Sequence, residues 1–138
     1  MLRVISLGAG VQSTTMALMA HHGLITPMPD CAIFADTGWE PEAVYRHLER
    51  LQRYLSFPVH IVSHGNIREN LLSGVNSTGQ KFSAVPWFTE AGGMGRRQCT
   101  AEYKLQPIRK KLRELLGYGK GQRIPPQKRR GLDRNINR

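Results

Sequence analysis

The chain is predicted to fold as an α/β domain around a doubly wound parallel sheet, with helices on both faces making three layers. Three observations carry that expectation. Short β-type runs begin at residues 3, 31 and 58, and stretches of helical periodicity lie between them. The middle run, from Cys31 to Ala35, is apolar throughout, as expected of a strand covered on both faces. Strand, helix and parallel strand in succession form the βαβ unit, whose crossover packs a helix back onto the sheet.

The elements follow in order. Val4, Ile5 and Leu7 mark the first strand, over residues 3–7, and Gly8-Ala9-Gly10 punctuates its end. Residues 12–22 turn helical, with Thr15, Leu18, Met19 and His22 along one face and Gly23 as the stop. The second strand runs into Asp36-Thr37-Gly38. Pro41 then opens the second helix where its missing N–H costs little. Val44, Leu48, Leu51 and Leu55 recur there at helical spacing, and Glu42–Arg46 and Glu49–Arg53 form i,i+4 pairs on the wet side. Val59, Ile61 and Val62 make the third strand, over residues 58–63.

The second half is less regular. Residues 67–72 read as a short helix. Residues 73–95 read as a long loop rich in Gly, Ser, Thr and Asn, anchored by Phe82, Trp87 and Phe88. Thr100 is expected to cap a helix that runs through Lys104. Pro107 interrupts it or starts another, which continues through Ile108, Leu112 and Leu115 to stops at Gly117 and Gly119. The expected organisation is a domain over residues 1–119 and a basic, flexible tail over residues 120–138.

Composition narrows the function classes. Forty per cent apolar and 22 % charged residues among 138 is a globular balance, enough for one packed domain. Two cysteines exclude a disulfide framework, a four-cysteine zinc site and a four-thiolate iron–sulfur cluster, and they suit a reducing compartment. No apolar run reaches the roughly 18–20 residues a membrane span needs. Residues 1–20 mimic a secretory signal, but two glycines and then Gln12-Ser13-Thr14-Thr15 interrupt the apolar stretch, so a cytoplasmic chain is expected. His60 and His64 lie on a strand and its exit and His21-His22 at a helix end, so no metal centre is expected. The net charge of +10 is uneven. Residues 1–95 hold six Lys/Arg against seven Asp/Glu, and residues 96–138 hold fourteen against three. Such a segment attracts phosphates on nucleotides or nucleic acid, or it is a solvated basic tail with no specific partner.

Three motifs could carry chemistry. Ser6-Leu7-Gly8-Ala9-Gly10-Val11-Gln12-Ser13-Thr14 joins strand to helix where open parallel sheets bind ligands. Its small residues let a ligand approach the backbone, and the helix's first turn offers unpaired N–H groups and a positive dipole end. That makes a phosphate cradle without a lysine; the plain alternative is a tight turn. The third glycine of the dinucleotide fingerprint is missing, and no Gly-Lys-Ser/Thr of a Walker loop follows. At the end of strand two, Asp36 in Asp36-Thr37-Gly38 could hold a ribose hydroxyl, an adenine amine or a magnesium ion, or simply shape the turn. Arg96, Arg97 and Lys104 form an anion-binding arrangement around Cys99, which is a reactive thiol beside cations or a small packing residue.

Taken in order, G-A-G-V-Q-S-T-T, F-A-D-T-G-W-E and R-R-Q-C-T-A-E-Y-K-L-Q-P-I resemble motifs of the phosphoadenosine phosphosulfate reductase branch of the adenine nucleotide alpha-hydrolase-like, pyrophosphate-loop (PP-loop) superfamily, over residues 2–116. The resemblance implies a Rossmann-like fold, here C-terminally shortened, with an adenine nucleotide, ATP or phosphoadenosine phosphosulfate, across the strand ends. It implies that Gly8, Ala9, Gly10, Gln12, Ser13 and Thr14 wrap the anionic end, and that Ser6, Leu7, Asp36, Thr37 and Gly38 contact the adenosine. Arg96, Arg97 and Lys104 would close on the anion, and Asp36, Arg97, Lys104 and Cys99 are the candidate catalytic residues.

The departures shape the expectation. Gln12 stands where the family carries Asp and cannot anchor magnesium as a carboxylate would. No cysteine follows Cys99, so sulfonucleotide reduction is not expected. The prolines at 125 and 126 forbid a further central strand, so the sheet is short and a homodimer could cover its first strand. The expected activity is action at an α-phosphate or sulfur transfer. The alternatives are a non-catalytic nucleotide- or nucleic-acid-binding module using residues 120–138, and an inactive shortened member.

Overall fold

The computed structural model describes residues 1–75, 90–93 and 99–126. Three parallel strands form the sheet in the order β1-β2-β3, with β1 at Val4–Ser6, β2 at Cys31–Asp36 and β3 at Val59–Ser63. The pairing aligns Val4 with Cys31 and Ile5 with Ala32 on one side of β2, and Ala32 with Val59 through Asp36 with Ser63 on the other. The central strand is buried from Cys31 to Ala35. An apolar side chain can face the core from either side of a strand so placed, which is why this run lacks alternation.

The crossovers are α1 (Val11–His21) and α2 (Glu42–Tyr54). Both cover one face of the sheet, where Ala17 and Ala20 of α1 and Leu48 and Leu51 of α2 pack with Leu7, Ala32, Phe34 and Phe57. Helix α4 (Gln106–Leu115) covers the other face, placing Ile108 and Leu112 on Cys31, Ile33 and Ala35. A small α/β domain with helices on both faces of a parallel sheet is therefore present.

Helix α2 matches its sequence pattern, and its Glu42–Arg46 and Glu49–Arg53 pairs form at 3.7 and 4.0 Å on the exposed side. Exposed pairs at that spacing are worth only about 0.3–0.5 kcal/mol each, so the Leu48 and Leu51 face holds this helix. Helix α1 stops at Gly23 as expected, with the Gly23 and Leu24 amides donating to Ala20 and Met19 carbonyls. Its buried face is the one that carries its two alanines. Thr15, Met19 and His22 are exposed, and Ala17 and Ala20 sit at 0 % exposure. The polar residues of the helix gather in its first half, Gln12–Thr15, and the apolar ones follow along the axis from Met16 to Ala20, so periodicity carries little information about its orientation. The two alanines let it lie close to the sheet.

Helix α3 (Ile67–Leu72) begins at Asn66, whose Oδ1 accepts from the Arg68 and Glu69 amides at 2.9 and 3.2 Å. Phe82, Trp87 and Phe88, the expected loop anchors, lie outside the described residues. So do Arg96 and Arg97. Thr100 does not cap a helix. It lies inside a π-helical turn, Thr100–Leu105, that follows Cys99 in helical conformation and runs without a break into α4. Pro107 falls in the first turn of α4, where a missing N–H is cheapest, and the wider turn before it takes up the change of register. Beyond α4, Arg113 Nη2 donates to the Gly119 and Gln122 carbonyls at 2.9 and 2.6 Å, and Ile124 is buried. The chain is thus held against the domain as far as Ile124, past the predicted boundary at 119, and residues 127–138 lie outside the described residues.

Candidate functional site

At the carboxyl end of β1 the chain keeps pairing for one more residue, as the Leu7 amide donates to the Ile33 carbonyl at 2.9 Å. It then turns through Gly8, Ala9 and Gly10. Ala9 adopts φ +53°, a left-handed conformation uncommon for a residue with a Cβ. Ser13 ties the turn together: its Oγ accepts from the Gly8 amide and donates to the Gly10 carbonyl, both at 3.2 Å. Gly10 is the N-cap of α1 and supplies no side-chain acceptor, so the first-turn amides beside exposed Val11 and Gln12 have no cap. Thr14 Oγ1 lies 3.0 Å from His47 Nε2, which joins the start of α1 to α2.

The Asp36-Thr37-Gly38 turn is largely engaged with itself. Asp36 Oδ1 accepts from the Gly38 amide and from the Tyr45 hydroxyl, both at 2.8 Å. Buried Thr37 donates from Oγ1 to Glu40 Oε1 at 3.0 Å, and its carbonyl accepts from the Ile67 amide at 2.9 Å, which docks α3. Asp36 therefore takes the turn-shaping role. With one of its oxygens doubly occupied and Gln12 neutral, the residues present do not fit a magnesium ion held by the protein. Among the described residues no three His, Cys, Asp or Glu side chains converge.

Beyond the ends of β1 and β2 lies a cavity of about 160 Å³. Its lining comes from Ser6, Leu7 and Gly8 after β1, Phe34 and Ala35 of β2, Glu40, and Thr100, Lys104 and Ile108 of the π-helical turn and α4. Ser6, Leu7, Gly8 and Lys104, which sequence reasoning grouped, are thus brought together. Gln12 and Asp36 do not line this cavity, and Cys99 sits half-buried just before the π-helical turn. Lys104 Nζ stands 4.0 Å from Glu40 Oε1, a loose pair with both side chains partly exposed. Glu40 stands between the Asp36-Thr37-Gly38 turn and the start of α2. Its meeting with a lysine 64 positions away leaves no local trace in the sequence, and neither does the His47 contact with Thr14. Drug-sized ligands occupy about 300–1,000 Å³, so this cavity can enclose one end of a nucleotide and not the whole.

Three groups have raised proton affinity. Burial pushes the Cys31 thiol above its ordinary 9.0; neighbouring Asp30 adds to this and Lys111 opposes it. Burial, then the hydrogen bond to Asp36, raises Tyr45 above 10.0. Burial raises Tyr103 above 10.0 against the opposing hydrogen bond from Asn70. Each group binds its proton more tightly folded than unfolded. Stability is therefore expected to be full below about pH 8.5 and to fall as pH rises through the unfolded values and beyond. The urea midpoint should drop between pH 8 and pH 10.5, and a flat profile would contradict these environments.

No helix among the described residues is long and apolar enough to cross a membrane. Comparison with family models, curated proteins and solved structures gave no match in any of the three.

Proposed function

We propose that this chain binds an adenine nucleotide, ATP or phosphoadenosine phosphosulfate, as a PP-loop protein with the doubly wound topology of the adenine nucleotide alpha-hydrolase-like class. The observation that carries the proposal is the cavity beyond the strand ends, which Gly8 and Lys104 both line. Open parallel sheets bind ligands there. The uncapped first turn of α1 offers amides and a positive dipole end to an anion, and Lys104 adds a full charge. The adenosine would lie outside the cavity, over the ends of the strands.

In this reading the protein acts at the α-phosphate or in sulfur transfer by positioning and by charge stabilisation. An incoming phosphate draws the Lys104 ammonium from Glu40, and the loose 4.0 Å pair makes that exchange cheap. Ser13 must also release the Gly8 amide or share it. No step is assigned to magnesium. A non-catalytic module gripping nucleic acid is the second reading, favoured by the concentration of positive charge in residues 96–138.

Two substitutions test the first reading with opposite signs. Lys104→Ala is expected to weaken pyrophosphate and ATP binding about tenfold, the size of one charge-assisted contact. Glu40→Gln keeps an acceptor for Thr37, removes a repelling carboxylate and frees Lys104, so it should tighten binding. Isothermal titration calorimetry reads both. Absence of heat with the native chain, or equal affinities in all three proteins, would reject the nucleotide assignment.

A further inference from the structure

A second and larger cleft, of about 430 Å³, lies between β3 and α4. Val62, Ser63 and His64 line one side, and Pro107, Lys110 and Lys111 the other. Its size falls in the range that holds a small organic ligand. Its charge is unbalanced. Lys111 keeps only 27 % of its side-chain surface in contact with solvent, and its Nζ is paired to Glu114 Oε2 at 3.3 Å. Lys110, one residue earlier, has no acidic group within 4.0 Å among the described residues. One positive charge therefore remains uncompensated at a cleft that Glu114 also lines, and whose remaining lining joins apolar Ile61, Val62 and Pro107 to polar Ser63, His64 and Gln106.

We propose that this cleft binds a small phosphate monoester, with the phosphate between Lys110 and Lys111 and the organic part over Val62 and Pro107. Lys110 offers an unpaired point charge and Lys111 a second once its ammonium exchanges Glu114 for the phosphate, and two such charges suit a group carrying close to two negative charges at neutral pH, as a phosphate monoester does. Ile61, Val62 and Pro107 give an organic body apolar surface that a bare ion would not use. The site is separate from the cavity at Gly8 and Lys104, and the proposal does not rest on the nucleotide reading.

Phenyl phosphate is the probe, titrated into the ¹⁵N-labelled full chain with amide resonances followed by NMR. Saturable shifts are expected at residues 61–64 and 106–111, with none from phenol at the same concentrations. Lys110→Gln, an exposed position, should weaken the probe about tenfold, and Lys111→Gln should do the same in a chain whose amide dispersion shows it folded. Pyrophosphate is titrated in parallel. Shifts by pyrophosphate at residues 8–14 without phenyl phosphate shifts at 61–64 would overturn the cleft proposal and leave the nucleotide reading standing. Equal response to phenol, or an unchanged affinity in Lys110→Gln, would also overturn it.

Discussion

Tyr103→Ala is expected to lose about 3–5 kcal/mol of stability, the range for deleting a buried aromatic ring. Tyr103 is 0 % exposed and is the largest of the fully buried side chains. Its hydroxyl accepts from Asn70 Nδ2 at 2.6 Å, which fastens the π-helical turn to α3. The residue is also the immediate neighbour of Lys104, so the ring fixes the backbone from which the proposed phosphate ligand extends. Tyr103→Phe separates the two contributions. It keeps the ring and removes the acceptor, leaving the Asn70 amide to find another partner, and should cost about 1–3 kcal/mol. It should also lose less stability above pH 10 than the native chain does, because one raised phenol is gone. Urea denaturation of the three proteins at pH 7.5 and pH 10.5 measures both effects. An alanine variant within 1 kcal/mol of native would mean that the π-helical turn is not anchored by this ring.

Gly38→Ala is the second large effect, expected at about 3 kcal/mol from a left-handed backbone penalty added to a steric one. Gly38 has φ +72°, and a Cβ built there would stand 3.1 Å from the Cα of Asn66. That obstacle is backbone, and it belongs to the residue that caps α3. The turn therefore cannot relax without disturbing the cap bonds to Arg68 and Glu69. Gly10→Ala is the matched control. Its φ is −84° and no atom lies within 4 Å of its would-be Cβ, so the variant should lose only about 1 kcal/mol, the cost of alanine in place of glycine at an N-cap. Equal melting temperatures for the two variants would show that the close approach of Gly38 to Asn66 does not constrain the fold.

The Gly38 geometry also explains why the D-T-G motif was informative in sequence yet ambiguous about function. Asp36 receives the Gly38 amide, Thr37 docks α3 and holds Glu40, and Gly38 makes room for Asn66. Each residue type is accounted for by the turn itself. The same motif positions Glu40 in the lining of the cavity, so a structural turn sets one charge of the candidate site. The first loop differs. Its glycines and Ser13 shape a tight connection, but no side chain caps the helix that follows, and the exposed first turn remains open to an anion.

The alternation of strands and helices, the buried character of β2, the charged outer face of α2 and the stop at Gly23 could all be read from residue order. Each is a local consequence of period-2 or 3.6 patterning, or of a turn residue next to a periodic run. The orientation of α1 could not, because its polar and apolar residues follow one another along the axis instead of taking opposite faces, and the buried face is the one whose alanines let the helix approach the sheet. Nor could the continuity of the chain through Pro107, the meeting of Lys104 with Glu40, the commitment of Asp36 to Tyr45, or the cleft between β3 and α4. Those are distances between residues far apart along the chain, and they come into being only when the sheet and its two helical layers pack together.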